Sequence, residues 1–162
     1  MAAQRRGLDA AFGGGRTTLA EQRAIWLEAL HADAIWEGPT FETPVYMVGR
    51  LAVSRFMEFL LETVPEFSTR LIAVHPTTEP DTMIIESTGG GPTVYGGHYT
   101  QRYFSKITSR DGQAFRMREY CNPFQTYAAF GRQRWDERID TIMAECNVAW
   151  PASQPPDPAR LP

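Results

Sequence analysis

Apolar residues recur at helical spacing in three parts of the chain. The first lies near the N-terminus, where Thr18 and Glu21 have the spacing of a capping box and the stretch His31–Trp36 is predicted to continue the helix after a bend. In the second, Val53 and Met57 belong to an amphipathic stripe that Pro65 ends. Helices are therefore predicted over residues 18–36, 50–64 and 132–146.

Runs of β-branched and aromatic residues predict strands in the remainder of the chain. These runs cover residues 41–48, 67–74, 82–87, 95–107 and 113–121. Pro44 places the first strand near an edge of the sheet, and turns are expected over 76–80, over 89–92 (Gly-Gly-Gly-Pro) and at Asp111-Gly112, the strongest hairpin signal. This order predicts an α+β domain with helices on one face of a curved antiparallel sheet.

Length and charge add limits to this prediction. The 162 residues fit one domain, expected over 17–150 between a glycine-rich leader (1–16) and a proline-rich tail (151–162). A net charge of −3 offers no footprint for nucleic acid, and no apolar run could span or anchor to a membrane. The leader lacks a signal-peptide core, so a cytoplasmic location with Cys121 and Cys146 as thiols is expected. The three histidines are scattered along the chain, so no metal site is expected.

One predicted strand carries a carboxylate among apolar residues. Because strand side chains alternate, one face should hold Phe115, Met117, Glu119 and Cys121, and the other Arg116, Arg118 and Tyr120. Burial of an unpaired carboxylate raises its pKa, which suits a general acid or base near neutral pH. Glu119 could instead lie at a solvated strand end or bind a backbone amide. The alternation of side chains does not distinguish these structural roles from a role in acid–base catalysis.

The neighbouring strand over 95–107 offers two possible pocket faces. One would present His98, Thr100, Arg102 and Phe104, and the other Tyr99, Gln101, Tyr103 and Ser105. Periodicity does not choose between them. His98 is the candidate partner of Glu119 in proton transfer, although it could equally be an exposed histidine after a Gly-Gly turn. Trp36 is expected among aromatic pocket residues, which would favour a cyclic or aromatic ligand.

The run Arg118 to Gln125 (Arg-Glu-Tyr-Cys-Asn-Pro-Phe-Gln) resembles the PhzA/PhzB family of phenazine biosynthesis, part of the SnoaL-like, nuclear-transport-factor-two-like superfamily. Asp111-Gly112 and Gly49-Arg50 match at the family's spacing, and the similarity covers roughly residues 45–130. It implies a cone-shaped SnoaL/ketosteroid-isomerase-like fold, dimerisation through the sheet, and no metal or organic cofactor. It also implies that Glu119 is the counterpart of the family's acid–base glutamate.

Two positions depart from that family. Phe56 and Leu60 stand where it places a histidine and a serine facing the pocket, so this wall is expected to be apolar and the phenazine precursor is not the expected substrate. Arg102 is a conceivable replacement for the family's substrate-binding arginine, whereas Arg50 is better placed as a helix-start residue.

Two functions from different classes follow. The first is a cofactor-independent acid–base enzyme of secondary metabolism that condenses, cyclises or isomerises a small cyclic ketone, imine or polyketide-like intermediate. Its catalytic residues would be Glu119 and His98, and its substrate-binding residues Phe56, Leu60, Arg102, Phe115, Met117 and Trp36. The second is a non-catalytic dimeric protein that binds or shields an apolar intermediate, which the apolar Phe56 and Leu60 favour.

Overall fold

A computed structural model describes residues 19–146 of the chain. Its elements, in chain order, are α1 (Leu19–Ala29), β1 (Leu30–Gly38), β2 (Val45–Val48), α2 (Arg50–Thr63), β3 (Ser68–Pro76), β4 (Thr82–Pro92), β5 (His98–Arg110), β6 (Gln113–Tyr120), α3 (Pro123–Phe130) and α4 (Arg132–Cys146). The predicted α+β class is confirmed. Thr18 of the expected capping box, the glycine-rich leader, the proline-rich tail and the side chain of Trp26 lie outside the described part.

Six strands form one sheet in the order β2-β1-β6-β5-β4-β3. Strands β1 and β6 run parallel, and the other neighbouring pairs are antiparallel. Asp111 and Gly112 close the β5–β6 hairpin with φ values of 51° and 78°, the left-handed conformation that an Asp-Gly turn requires. Strand β2 lies at an edge directly after Pro44, as the proline predicted.

The prediction that the first helix continues to Trp36 is wrong. The chain enters β1 at Leu30, and this strand pairs with β2 on one side and β6 on the other. The apolar pattern of this stretch fits either a helix or a strand. Pairing with both neighbouring strands satisfies the backbone polar groups of β1, and this pairing determines the strand conformation.

The Gly89–Pro92 run is not the turn that was predicted, because it forms the end of β4. Gly90 is paired with Thr100, and a Cβ atom at Gly90 would come within 2.1 Å of the Tyr99 carbonyl oxygen. The glycine therefore permits close approach of two strands.

Helix α3 was not predicted from the sequence. It begins after Asn122, whose side-chain oxygen accepts a hydrogen bond from the Phe124 amide at 3.0 Å, with Pro123 in the first turn. Both features are typical of a helix N-terminus. The Asn-Pro pair therefore follows the end of β6 and starts a helix.

The outer face of the sheet holds a buried ion-pair cluster between β1 and β6. Glu37 is 1% exposed and accepts hydrogen bonds from Arg116 Nε at 2.8 Å and from Arg118 Nε at 2.5 Å. Both arginines therefore lie on the face opposite Glu119, as alternation predicted. Their partner was missed because it lies in β1.

Helices α1 and α2 pack against the opposite, concave face of the sheet, α3 packs on β5, and α4 packs on α2 and β2. Aromatic rings fill the junction: Trp36 stacks on Phe56 with ring centres 4.3 Å apart, and Trp135 contacts both Phe56 and Phe59. Among the helices between residues 19 and 146, none is long and apolar enough to cross a lipid bilayer.

Candidate active site

A cavity of about 690 Å³ lies between the concave face of the sheet and the helices. Its volume falls in the range of small-molecule sites. Apolar side chains from α2, β1, α3 and α4 form most of its wall, and the polar groups come chiefly from the adjacent strands β4, β5 and β6. An apolar wall with a few converging polar groups is typical of a ligand-binding site.

Strand β5 presents its odd-numbered residues to the cavity, which decides between the two faces left open by the sequence. Tyr99, Tyr103 and Ser105 line the wall. Gln101 shares this face but binds the backbone of Asn122 through both ends of its amide, at 2.8 and 3.1 Å. This amide holds the start of α3 against the sheet, so Gln101 has a structural role.

Glu119 lies on the cavity wall, partly open to the cavity. Ser105, its cross-strand neighbour on β5, donates a hydrogen bond from Oγ to Glu119 Oε2 at 3.2 Å. Burial raises the pKa of Glu119 to about 7, and the Ser105 hydroxyl offsets only part of that effect. The described residues of the cavity wall include no lysine, arginine or histidine that could hold the carboxylate ionised. Glu119 can therefore both donate and accept a proton near neutral pH.

Two tyrosines extend the polar strip along β5. Their phenol oxygens are 3.0 Å apart. Burial raises the pKa of Tyr99 to about 12 and raises the pKa of Tyr103 further, so both phenols remain protonated hydrogen-bond donors at neutral pH. Tyr103 and Ser105 are two residues apart on one face, so their Cα atoms are separated by roughly 7 Å. A ligand oxygen can therefore meet a phenol while a neighbouring carbon faces Glu119.

Four of the predicted substrate-binding residues meet at this cavity. Trp36, Phe56, Leu60 and Met117 all lie on its wall together with Glu119. Phe56 and Leu60 supply the apolar wall that was expected from their departure from the PhzA/PhzB pattern. Cys121, predicted on the same face as Glu119, also reaches the wall, and both cysteines are free.

The placement of His98 and Arg102 in the pocket is wrong. Both are exposed on the outer face of β5, where His98 Nδ1 lies 3.2 Å from the Thr100 hydroxyl. Even-numbered residues of β5 point away from the cavity, since its odd-numbered residues line it. Neither side chain can contact a ligand that occupies the cavity.

Phe115 does not line the cavity either. The β5–β6 register shifts between Thr108 and Ser109, so the alternation of β6 is interrupted and Ala114 takes the position on the wall. Phe115 packs instead under the Arg110 guanidinium, 3.5 Å from the ring centre, and against the His31 ring. The expectation that it binds substrate is corrected accordingly.

Comparison with known proteins identifies the family. The model of the SnoaL-like domain matches residues 10–117. The chain belongs to the SnoaL-like family. An uncharacterised PhzA/B-like protein of Pseudomonas aeruginosa is 30% identical over 110 residues, which are 65% of this chain and 77% of that protein. The resemblance to the PhzA/PhzB-like, SnoaL-like proteins is thereby confirmed at the level of the family.

Solved structures share the fold of this SnoaL-like protein. A phenazine biosynthesis-related protein of Pseudomonas aeruginosa superposes with a TM-score of 0.63 at 21% identity, covering 79% of this chain and 82% of that one. A protein described as a putative isomerase of Bacillus subtilis gives 0.67 at 24% identity, covering 80% and 94%. The family match ends two residues before Glu119, so the position of this carboxylate in the cavity rests on the structure.

Proposed function

We propose that this SnoaL-like protein is a cofactor-independent acid–base catalyst that moves a proton on a small, ring-bearing ketone, imine or polyketide-like compound. The supporting observation is Glu119, a carboxyl on an apolar cavity wall with one hydroxyl donor and a pKa raised to about 7. The secondary-metabolic role and the choice among condensation, cyclisation and isomerisation belong to the same proposal.

The geometry suits proton transfer beside a carbonyl or imine group. Glu119 takes a proton from the carbon next to that group, and the electron pair of the broken C–H bond moves onto the oxygen or nitrogen. A phenol of Tyr103 or Tyr99 donates a hydrogen bond to the developing negative charge. Glu119 then returns the proton, to the same carbon or to another. Ser105 orients the carboxyl through its hydrogen bond.

The comparisons support this proposal at the level of the fold. A protein described as a putative SnoaL-like polyketide cyclase from Jannaschia has a TM-score of 0.63 at 17% identity, and an epoxide hydrolase of Mycobacterium tuberculosis has 0.58 at 13%. Their descriptions name a cyclase and a hydrolase, so enzymes occur among the proteins that share this fold. One fold hosts many functions, so the residues of the cavity carry the argument.

Exchange of carbon-bound hydrogen tests proton transfer without knowledge of the final product. A panel of bicyclic and tricyclic ketones is incubated with the protein in deuterated buffer, and deuterium at the α-carbon is followed by NMR. Wild-type protein should accelerate exchange for ketones that bind. Glu119→Gln should slow it by about 10² to 10⁴, the usual contribution of a positioned acid or base.

The matched control is Glu86→Gln, which removes a carboxylate from β4 where its side chain pairs with His75, away from the cavity wall. This variant should exchange at the wild-type rate. Equal rates in wild type and Glu119→Gln would remove Glu119 from the mechanism.

The second candidate function is a binding or shielding protein for an apolar intermediate. It is favoured by Phe56 and Leu60 on the wall and by the position of His98 outside the cavity. Under this alternative, ketones of the panel bind with micromolar affinity, and none of them exchanges faster than in buffer. The same experiment therefore separates the two functions.

A further inference from the structure

The charged groups on the cavity wall are of one sign. Among the residues that the structure describes, those on the wall include Glu28, Asp111 and Glu119, and none is lysine, arginine or histidine. Glu28 and Asp111 are exposed, so they mark the side of the cavity that opens to solvent, here called the mouth. Glu119 lies on the sheet side.

The end of a helix adds to this negative field. Glu28 is the penultimate residue of α1, so the C-terminal end of that helix, with its partial negative charge, lies at the mouth. Gln113 donates a hydrogen bond from Nε2 to the Glu28 carbonyl oxygen at 2.8 Å, which ties this helix end to the β5–β6 hairpin. His31 Nε2 approaches Asp111 Oδ2 at 3.9 Å, but His31 is not on the wall.

The cavity wall also offers a buried hydroxyl to a polar ligand atom. Thr126 lies on the wall and is 1% exposed, yet its hydroxyl oxygen has no hydrogen-bond partner. Its polar neighbour is the Tyr99 phenol, and a weak hydrogen-bonding interaction with Thr126 lowers the pKa of that phenol. A buried hydroxyl with only such a weak interaction is incompletely satisfied, so a polar atom of a ligand in the cavity can pair with it.

We infer that the cavity selects its ligand by charge: it takes a ring-bearing compound with a basic amine at the mouth and rejects the corresponding carboxylate. A carboxylate at the mouth would be repelled by Glu28, Asp111 and the negative end of α1. A carboxylate deeper in the cavity would lose its hydration, and the described wall has no cation to compensate for that loss. A protonated amine at the mouth finds two carboxylates, while its rings contact the apolar wall. The inference names the substrate class of the proposed enzyme and rests on the same cavity.

Three probes of one ring system isolate the charge. Anthracene-methylamine, anthracene-methanol and anthracene-carboxylate are titrated with the protein at pH 7, and binding is followed by the fluorescence anisotropy of the anthracene. The amine should bind about ten-fold more tightly than the carboxylate, with the alcohol between them. Added salt should narrow this ratio, since the mouth carboxylates are exposed. Equal affinities, a preference for the carboxylate, or no binding by any probe would overturn the inference.

Variants locate the selectivity at the mouth. The double variant Glu28→Gln with Asp111→Asn should lose most of the amine preference while its affinity for the alcohol stays unchanged. Asparagine suits position 111 because it tolerates the left-handed φ of 51° found there. Glu86→Gln is the matched control and should keep the wild-type order. An unchanged amine preference in the double variant would contradict the assignment.

The outcome is separable from that of the proposed function. Charge selectivity with no catalysed hydrogen exchange would support the inference and the binding-protein alternative. Catalysed exchange with a preference for carboxylates would retain the acid–base function and refute the charge selectivity. Repeating the titration with Glu119→Gln shows whether the selectivity depends on the mouth residues alone.

Discussion

Glu119 differs from Glu37, the buried carboxylate on the outer face of the sheet, in its hydrogen-bond donors. Two arginines hold Glu37, whereas Glu119 has a single hydroxyl donor from Ser105. An ion pair of this kind compensates the loss of hydration, and one neutral hydrogen bond does so only in part. The difference explains why the pKa of Glu119 rises to about 7.

This raised pKa makes stability depend on pH. The carboxyl of Glu119 has an ordinary pKa of 4.5 in the unfolded chain and a pKa of about 7 in the folded protein. Between these two pH values, the folded protein therefore binds more protons than the unfolded chain. Its contribution to stability is therefore fully present below pH 4.5 and is lost as the pH rises through 7. The total loss is about 3 kcal/mol, from 1.36 kcal/mol per unit.

Urea unfolding of wild type and Glu119→Gln at several values between pH 4.5 and pH 8 measures this contribution. The variant cannot ionise at this position. As the pH rises over this range, the free energy of unfolding of the wild type should therefore fall by about 3 kcal/mol relative to that of the variant. A constant difference between the two proteins would show that the pKa of Glu119 is not raised.

Among the secondary-structure elements, most strands of the sheet and the Asp111-Gly112 hairpin could be predicted from the sequence. The cavity-facing side of β5 and the position of Phe115 could not, and one bulge explains both. Next to the Asp111-Gly112 turn, Arg110 pairs with Gln113. If the same register continued along the hairpin, Phe104 would lie opposite Glu119, on the cavity face. The bulge moves the pairing by one residue, so Ser105 stands there instead. A bulge is hard to recognise in a single sequence. This bulge determines which face of β5 lines the cavity, and it removes Phe115 from the cavity wall.

Strand β1 shows a second limit of local patterns. Its residues follow a helix directly, and their strand conformation depends on pairing with β2 and with the distant β6. Glu37 and its two arginines lie far apart in the chain, so their cluster could not be expected before the parallel pairing was known. Trp36, expected among the pocket residues, lies on the cavity wall, but it belongs to β1 and not to the predicted helix.

At the scale of the whole molecule, the outer face of the sheet exposes two aromatic rings that are cross-strand partners. Phe104 is 45% exposed and Tyr120 is 42% exposed. Arg118 of the Glu37 ion-pair cluster and Glu86, the cross-strand partner of Phe104, lie around them. An aromatic centre with a charged rim is typical of a protein interface. We propose that two copies of the chain pair through this face with two-fold symmetry.

Sedimentation at micromolar concentration should give about 37 kDa, which is twice the 18.3 kDa of one chain. Phe104→Glu should shift the protein to the monomer, because the introduced charge would be buried against its own copy. Leu51→Glu is the control, since Leu51 is 59% exposed but lies on α2, away from the sheet. A monomeric wild type would contradict the proposed pairing.

Acid–base catalysis in this cavity requires Glu119 to change protonation state near neutral pH, and an NMR titration measures its pKa. The side-chain carboxyl carbons of ¹³C-labelled glutamate are followed from pH 3 to pH 9, and the signal missing from Glu119→Gln assigns this residue. A midpoint near 7 is expected for that signal. A midpoint below 5 would show an ordinary ionised carboxylate, and the acid–base account of the cavity would be wrong.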